Sequence, residues 1–211
     1  APKIKVVAVK GYGAQVYLCD NNEKSRIDTC KKIINKTDAN FIHPFDNDDV
    51  ISGQASCAKE IFEEENGFDF IICPVGGGGL ASGTILSTKI FSPLTTVILG
   101  EPLNASDAYQ SFVNNKLIPV NKPTTIADGL KTSLSERTFK IIKKGTKKII
   151  TVTEEEIVSA MMLIWERLKI VCEPSCSVPL AALLKEKKYF RNKKVAIILT
   201  GGNVDLENLP F

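Results

Sequence analysis

The chain has 211 residues, of which 44% are hydrophobic and 24% are charged, and its formal net charge is +3 at pH 7. These values are typical of a globular protein with a substantial core, and they exclude a disordered or collagen-like chain. The lysine-rich stretches are flanked by acidic and apolar residues and lack interleaved aromatic side chains, so we expect no nucleic-acid partner.

Cysteine usage and hydropathy bear on the cellular location. The six cysteines form no C-x-x-C pair and have no histidine at metal-binding spacing, which predicts small buried side chains in a reducing compartment. The sequence contains no apolar stretch of about 18 residues and no charged-then-apolar leader. We therefore expect no membrane association and a cytoplasmic location.

Apolar runs alternate with amphipathic stretches along the chain. This pattern predicts strands at residues 15–19, 41–43, 68–73, 95–100, 148–152 and 195–199, and helices over 23–35, 48–65 and 157–169. Thr153 and Glu156 predict a capping box before the last of these helices. The alternation predicts an α/β fold, an open twisted mostly parallel sheet with helices on both faces and ligand sites at the carboxyl ends of its strands.

A run of four glycines separates the predicted strand 68–73 from a helix-like segment. Its members are Gly76, Gly77, Gly78 and Gly79, and Leu80 follows them. Several backbone N–H groups at a helix start suit a phosphate group. The alternative is a tight turn that needs glycine for positive φ, although one or two glycines would normally be enough. The run has neither the Lys-Ser/Thr pair of a Walker loop nor the spacing of a dinucleotide fold.

Two other loops also follow predicted strands. Glu101 and Asp107 lie six residues apart, and their oxygens with an intervening carbonyl would suit Mg²⁺ or Ca²⁺, although acidic residues near a helix start are more often caps. Thr200 precedes two glycines, and its hydroxyl could bond a ring nitrogen or a phosphate. Alternatively, the segment is an ordinary transition from a strand to a turn.

The single histidine, His43, is expected to be packed or half-exposed near a domain border, and a Ser-His-Asp hydrolase is not supported.

Seven stretches together resemble one family, the serine racemases and threonine or serine dehydratases among the fold-type II pyridoxal-phosphate enzymes. They are residues 74–80, 100–107, 125–130, 152–157, 165–167, 173–175 and 201–206. The resemblance implies racemisation or β-elimination, with ammonia release, of L-serine or L-threonine. It also implies pyridoxal 5'-phosphate and Mg²⁺ or Ca²⁺ as cofactors, and a homodimer.

The resemblance also implies roles for individual residues. Gly76, Gly77, Gly78, Gly79 and the amide of Leu80 would hold the cofactor phosphate, and Thr200 would face the pyridine nitrogen. Glu101, the carbonyl of Ala105 and Asp107 would bind the cation. Lys169 and Asn203 correspond to positions near a nucleotide effector. Phe45 stands where some relatives carry asparagine near the cofactor.

Two motifs expected from the resemblance are missing from the sequence: the Ser-x-Lys-x-Arg motif with the Schiff-base lysine, and the Ser-Gly-Asn-His-Gly loop. The chain thus resembles the C-terminal two-thirds of the family, with residues 1–44 as a remnant of the small domain and 45–211 as a large domain lacking its N-terminal part. We expect no catalytic lysine in this stretch and no turnover by it alone. The alternative is a non-catalytic α/β module that binds a phosphorylated ligand or a partner subunit.

Overall fold

The computed structural model of the protein describes residues 3–20, 23–119 and 122–211. The chain divides into two compact units, Ala1–His43 and Pro44–Phe211. The first unit contains helices α1 (Lys3–Gly11) and α2 (Glu23–Thr37). None of the residues whose burial is described in this unit is buried.

The second unit is built on a four-stranded parallel sheet. Its strands are β1 (Phe70–Pro74), β2 (Thr96–Pro102), β3 (Thr146–Val152) and β4 (Val195–Ile197), in the spatial order β3-β2-β1-β4. The helices that accompany the sheet in the described part of this unit are α3 (Asp48–Glu64), α4 (Gly79–Phe91), α5 (Asp107–Asn114), α6 (Glu136–Gly145), α7 (Glu154–Leu163) and α8 (Pro174–Lys185).

Both faces of the sheet are covered by apolar side chains from the helices. Successive strand residues point to opposite faces, so Ile71 and Cys73 pack in one cluster with Phe62 of α3. Ile72 packs in the other cluster with Ile157 of α7. Because both faces are buried, β1 and most of β2 read as apolar runs, which is typical of a parallel sheet, whereas the edge strand β3 carries the exposed Lys147. The predicted fold class is confirmed.

The capping box predicted for α7 is confirmed. The Glu156 amide donates to the Thr153 hydroxyl at 3.3 Å, and the Thr153 amide donates to the Glu156 carboxylate at 2.8 Å. The sequence predicts one helix over residues 157–169, but α7 ends at Leu163. A π-helical turn covers Ile164–Leu168. The chain leaves this turn at Lys169, which has the left-handed φ of 58°.

The strands predicted at residues 15–19 and 41–43 are wrong, since neither segment has regular structure. Leu18 is 82% exposed and Ile42 is 69% exposed, so these apolar runs are not buried as a strand would require. The prediction of buried cysteines holds for Cys73, Cys172 and Cys176 and is wrong for Cys19, which is exposed. In the described part of the chain, no helix has both the length and the apolarity of a membrane span.

Candidate functional site

The glycine run forms the turn between β1 and α4, as its position in the sequence predicts. All four glycines are buried, and Gly78 is the N-cap of α4 with φ of 90°. The Ser82 amide donates to the Gly78 carbonyl at 2.8 Å, as the first turn of α4 closes. The backbone amides before Ser82 therefore come ahead of the first hydrogen bond of α4. Amides at the start of a helix can bind an anion.

Close packing explains why the other three glycines lack side chains. A Cβ atom at Gly76 would lie 2.9 Å from the Cα atom of Leu130, and one at Gly77 would overlap the Phe45 ring. At Gly79 the added atom would be 3.0 Å from Cβ of Phe45. Positive φ is thus needed only at Gly78, and the tight-turn alternative accounts for only one glycine of the four.

Several of the resembling stretches meet beside this turn. Gly129 lies in a 3₁₀ turn, Asp128–Leu130, and its amide donates to the Ser175 hydroxyl at 3.0 Å. The amide of Glu173 donates to the Gly201 carbonyl at 3.0 Å. Segments separated in the sequence by 46 and 28 residues are therefore joined beside the glycine turn.

Thr200 lies just beyond β4, the strand beside β1. The pairs Phe70 with Val195 and Ile72 with Ile197 set the register, and the amide of Ile198 donates to the Ile72 carbonyl at 3.0 Å. Parallel neighbours end at the same edge of a sheet, so Thr200 is on the edge that carries the glycine turn. Thr200 is exposed and is not packed among apolar side chains.

Glu101, near the end of β2, and Asp107, the first residue of α5, are both buried, and Glu101 also caps α5. Glu101 is 0% exposed, and its two carboxylate oxygens accept from the amides of Ala108 and Tyr109, each at 2.8 Å. Those amides lie in the first turn of α5, so the capping alternative for Glu101 is correct. Ala105 lies in the 3₁₀ turn Leu103–Ala105 that joins β2 to α5.

Asp107 has only one of its carboxylate oxygens satisfied. Its Oδ2 atom accepts from the Leu134 amide at 2.9 Å, whereas its Oδ1 atom is buried without a partner among the described residues. Burial raises the pKa of Asp107 to about 6. Burial, and then the charge of Asp107, raise the pKa of Glu101 well above its ordinary value. A cation between the two carboxylates would remove this penalty.

The two residues predicted near a nucleotide effector are both accessible to solvent. Lys169 and Asn203 are exposed, and the Lys169 amide donates to the Trp165 carbonyl at 3.2 Å. His43 is half-exposed and contacts the Phe41 ring edge-on at 6.0 Å between centroids.

Sequence reasoning missed two features of this region. The first is the Thr138 hydroxyl, which donates to the Gly77 carbonyl at 2.9 Å across 61 residues of sequence. The second is the burial of Cys172 and Cys176 in one cluster, where the Sγ atom of Cys172 lies 3.5 Å from the Ser177 hydroxyl. The four-residue spacing of these cysteines beside a proline at a helix start was the available signal for the second feature.

Residues 1–201 match the family model described as pyridoxal-phosphate dependent enzyme. The chain therefore belongs to this family, and its parallel sheet matches the fold-type II architecture of structural neighbours in it. The relatives are racemases and ammonia-lyases, which are enzymes.

Individual relatives narrow the comparison. The chain is 44% identical over 211 residues to a β-hydroxyaspartate dehydratase of Paracoccus denitrificans, covering 100% of this chain and 67% of the relative. It is 45% identical over 215 residues to a serine racemase of Dictyostelium discoideum, covering 99% of this chain and 66% of that protein. The structure of maize serine racemase superposes with a TM-score of 0.94 at 36% identity, covering 98% of this chain and 64% of that one. The chain thus spans about two thirds of the length of these relatives.

Proposed function

We propose that the intact protein uses pyridoxal 5'-phosphate to racemise small β-hydroxy amino acids, to eliminate water and ammonia from them, or both. The observation that carries this proposal is the buried glycine turn at the start of α4, in a chain whose residues 1–201 match the cofactor's family. L-serine and L-threonine are the first candidate substrates. The dehydratase relative named for β-hydroxyaspartate adds a dicarboxylic member of the same chemical class.

The residues of the glycine turn fit a cofactor phosphate. The amides of Gly76, Gly77, Gly78, Gly79 and Leu80 would bind it, with the positive end of the α4 dipole behind them. The turn tolerates no side chains, so nothing projects from it toward a bound group. Phe45 packs against Gly77 and Gly79 and would contact a ligand held there.

Thr200 would hold the ring nitrogen of the cofactor. When bound, the cofactor withdraws electrons from the α-carbon of the substrate. A neutral hydroxyl at the ring nitrogen does not keep it fully protonated, as an aspartate would, so Thr200 favours racemisation and elimination over transamination. The exposure of Thr200 at the edge that carries the glycine turn supports this role.

Glu101, the Ala105 carbonyl and Asp107 are proposed to bind Mg²⁺ or Ca²⁺. The orphaned Oδ1 atom of Asp107 and the two buried carboxylates support a cation with oxygen ligands. Leu134 is held by Asp107 and packs in the cluster that also contains Val75, next to the glycine turn. An ion there would organise the loops and would not touch the substrate.

Three further proposals concern the whole protein. It would act as a homodimer in the cytoplasm, with residues 1–44 in a small domain and 45–211 in a large one. A nucleotide effector would contact the exposed Lys169 and Asn203. Residues 1–211 alone would bind cofactor without turnover, because the Ser-x-Lys-x-Arg motif is not among them.

The test compares residues 1–211 with a longer chain that adds a segment aligned with the relatives' N-terminal third. With cofactor and borohydride, we expect a stable lysine adduct and turnover of L-serine only in the longer chain. In residues 1–211 we expect cofactor binding that inorganic phosphate competes away. Thr200→Val, nearly the same shape without the hydroxyl, should keep the adduct and lower turnover.

Three results would contradict these proposals. Failure of the longer chain to bind cofactor would overturn the enzyme assignment. A lysine adduct with turnover in residues 1–211 would instead overturn the proposed inactivity of this stretch. Phosphate-competable binding without an adduct in both chains would favour the non-catalytic module.

A further inference from the structure

The first turn of α6 packs directly against the glycine turn. Thr138, the third residue of α6, is 0% exposed. A Cβ atom at Gly78 would lie 2.7 Å from the Cβ atom of Thr138 and 2.8 Å from a methyl carbon of Leu134. The start of α6 and the turn between β1 and α4 are therefore in contact, although 61 residues separate Gly77 from Thr138.

The Thr138 hydroxyl makes two kinds of hydrogen bond. Its oxygen accepts from the Ser135 amide at 3.0 Å, which completes the capping box of α6. It donates to the Gly77 carbonyl at 2.9 Å, which is closer than the Ser135 carbonyl at 3.3 Å. Glutamate, a usual residue at this position of a capping box, has no proton to donate when it is ionised. A hydroxyl side chain can make both bonds.

The start of α6 is also held by contacts that do not involve the glycine turn. The Leu134 amide donates to the Oδ2 atom of Asp107 at 2.9 Å, and both residues are buried. Arg137 pairs through its Nε atom with Asp46 at 3.1 Å. These contacts fix residues on both sides of Ser135. Thr138 can therefore hold the glycine turn in place and does not merely follow it.

The hydrogen bond to the Gly77 carbonyl also fixes the direction of the Gly78 amide. The peptide bond between the two residues is trans and planar, so its C=O and its N–H point in opposite directions. Because the carbonyl is directed at α6, the Gly78 N–H is directed away from α6. Glycine lies on both sides of this peptide, and glycine restricts backbone rotation less than other residues do. The peptide could turn over if nothing held its carbonyl.

We propose that Thr138 is a positioning residue for an anion site at the start of α4, where its hydroxyl holds the Gly78 N–H toward a bound phosphate group. This inference rests on the proposed function, which assigns a cofactor phosphate to the glycine turn. It adds a residue outside the turn that determines the direction of one binding amide. Thr138 does not touch the phosphate and acts through the peptide between Gly77 and Gly78.

The size of the effect follows from the strength of one hydrogen bond. A bond of ordinary net strength changes the ratio between two peptide orientations by about three- to tenfold. The apparent affinity for phosphate falls with the fraction of molecules in the competent orientation. Loss of the hydroxyl should therefore raise the Kd for phosphate by at least about twofold and at most about tenfold. Binding should persist, because the other proposed amides remain.

The experiment titrates the full 211-residue chain with inorganic phosphate at constant ionic strength and follows its amide resonances by NMR. We expect the Gly78 amide resonance to shift with phosphate. Thr138→Val keeps the shape without the hydroxyl and should raise the Kd by about two- to tenfold. Thr138→Ser keeps the hydroxyl and should bind phosphate within about twofold of the original chain. Thr138→Cys, with a weaker donor, should fall between them and replaces Thr138→Val if that variant does not fold.

A second measurement needs no ligand. The carbonyl carbon of Gly77 is detected through the Gly78 amide, and its resonance moves upfield when the carbonyl loses a hydrogen bond. We expect this shift in Thr138→Val and its reversal in Thr138→Ser. Thr153→Val is the matched control, because Thr153 supplies a hydroxyl to another capping box, where it accepts from the Glu156 amide at 3.3 Å. It should lower stability and leave both the Kd and the Gly77 carbonyl resonance unchanged.

The outcomes separate this inference from the proposed function. Equal phosphate affinity in Thr138→Val and the original chain would overturn the inference and leave the proposed function intact. An unmoved Gly77 carbonyl resonance in a folded Thr138→Val variant, or an equal loss of affinity in Thr153→Val, would also overturn it. If the original chain binds neither inorganic phosphate nor pyridoxal 5'-phosphate, the anion site is refuted, and with it both the inference and the proposed role of the glycine turn.

Discussion

At the scale of single residues, the glycine turn depends on missing side chains. A Cβ atom at Gly77 would overlap the Phe45 ring, although the φ of Gly77 is not positive. We therefore expect Gly77→Ala to lower the free energy of unfolding by about 1–3 kcal/mol through overpacking. Urea denaturation of the full chain measures this change.

Gly53 is the matched control for that variant. It lies exposed within α3 and has nothing within 4 Å of an added Cβ atom, so Gly53→Ala should stabilise the chain by up to about 1 kcal/mol. In a Phe45→Ala background the cost of Gly77→Ala should fall below about 0.5 kcal/mol. An unchanged cost in that background would mean that the ring is not the obstacle.

Asp107 should make folding depend on pH. Its pKa is raised from 3.8 to about 6, so the folded state binds this proton more tightly than the unfolded chain does. The free energy of unfolding that the protonated Asp107 contributes is fully present below the unfolded pKa and is lost as the pH rises through the folded pKa. The loss between about pH 4 and pH 7 is on the order of 3 kcal/mol. Asp107→Asn should not suffer this loss, so the variant should gain stability relative to the original chain as the pH rises.

Comparing the two chains at each pH cancels the titration of groups that Asp107 does not affect. The measurement is urea denaturation at both pH values, without divalent cations. If Asp107 also binds the proposed cation, millimolar Mg²⁺ should raise the Tm of the original chain at pH 7 more than that of Asp107→Asn. Parallel pH profiles for the two chains would contradict the raised pKa.

At the scale of elements, the start of α7 depends on a reciprocal pair of hydrogen bonds. The Thr153 hydroxyl accepts a hydrogen bond from the Glu156 amide, and the Glu156 carboxylate accepts one from the Thr153 amide. Thr153→Ala should lower the free energy of unfolding by about 1 kcal/mol. Denaturation of Thr153→Ala, Glu156→Gln and the double variant tests the pair, and strictly additive effects would argue against coupling.

At the scale of the whole molecule, stability should be concentrated in the second unit. The described residues of the first unit include none that is buried, whereas β1 and β2 carry buried residues on both faces of the sheet. We expect amides of α1 and α2 to exchange hydrogen within the earliest times measured, and those of β1 and β2 only on global unfolding. Hydrogen-exchange mass spectrometry checks this, and equal protection of the two sets would refute it.

Some of these features were determined by the sequence itself. The buried strand β1 and most of β2 are apolar runs, the capping box needs residues only three apart, and the glycine turn needs only the strand and helix beside it. Such local signals do not depend on distant parts of the chain. For the same reason the position of Thr200 and the acidic residues at strand ends could be inferred before the fold was known.

Tertiary structure decided what those local signals do not contain. Residues 15–19 alternate like a strand, but a strand needs a partner, and no partner pairs with them among the described residues. The sequence predicts neither the packing of Phe45 on Gly77 nor the hydrogen bonds that the Glu101 carboxylate accepts from two backbone amides. Such contacts arise only when distant segments meet at one end of the sheet, because packing joins residues without regard to their separation along the chain.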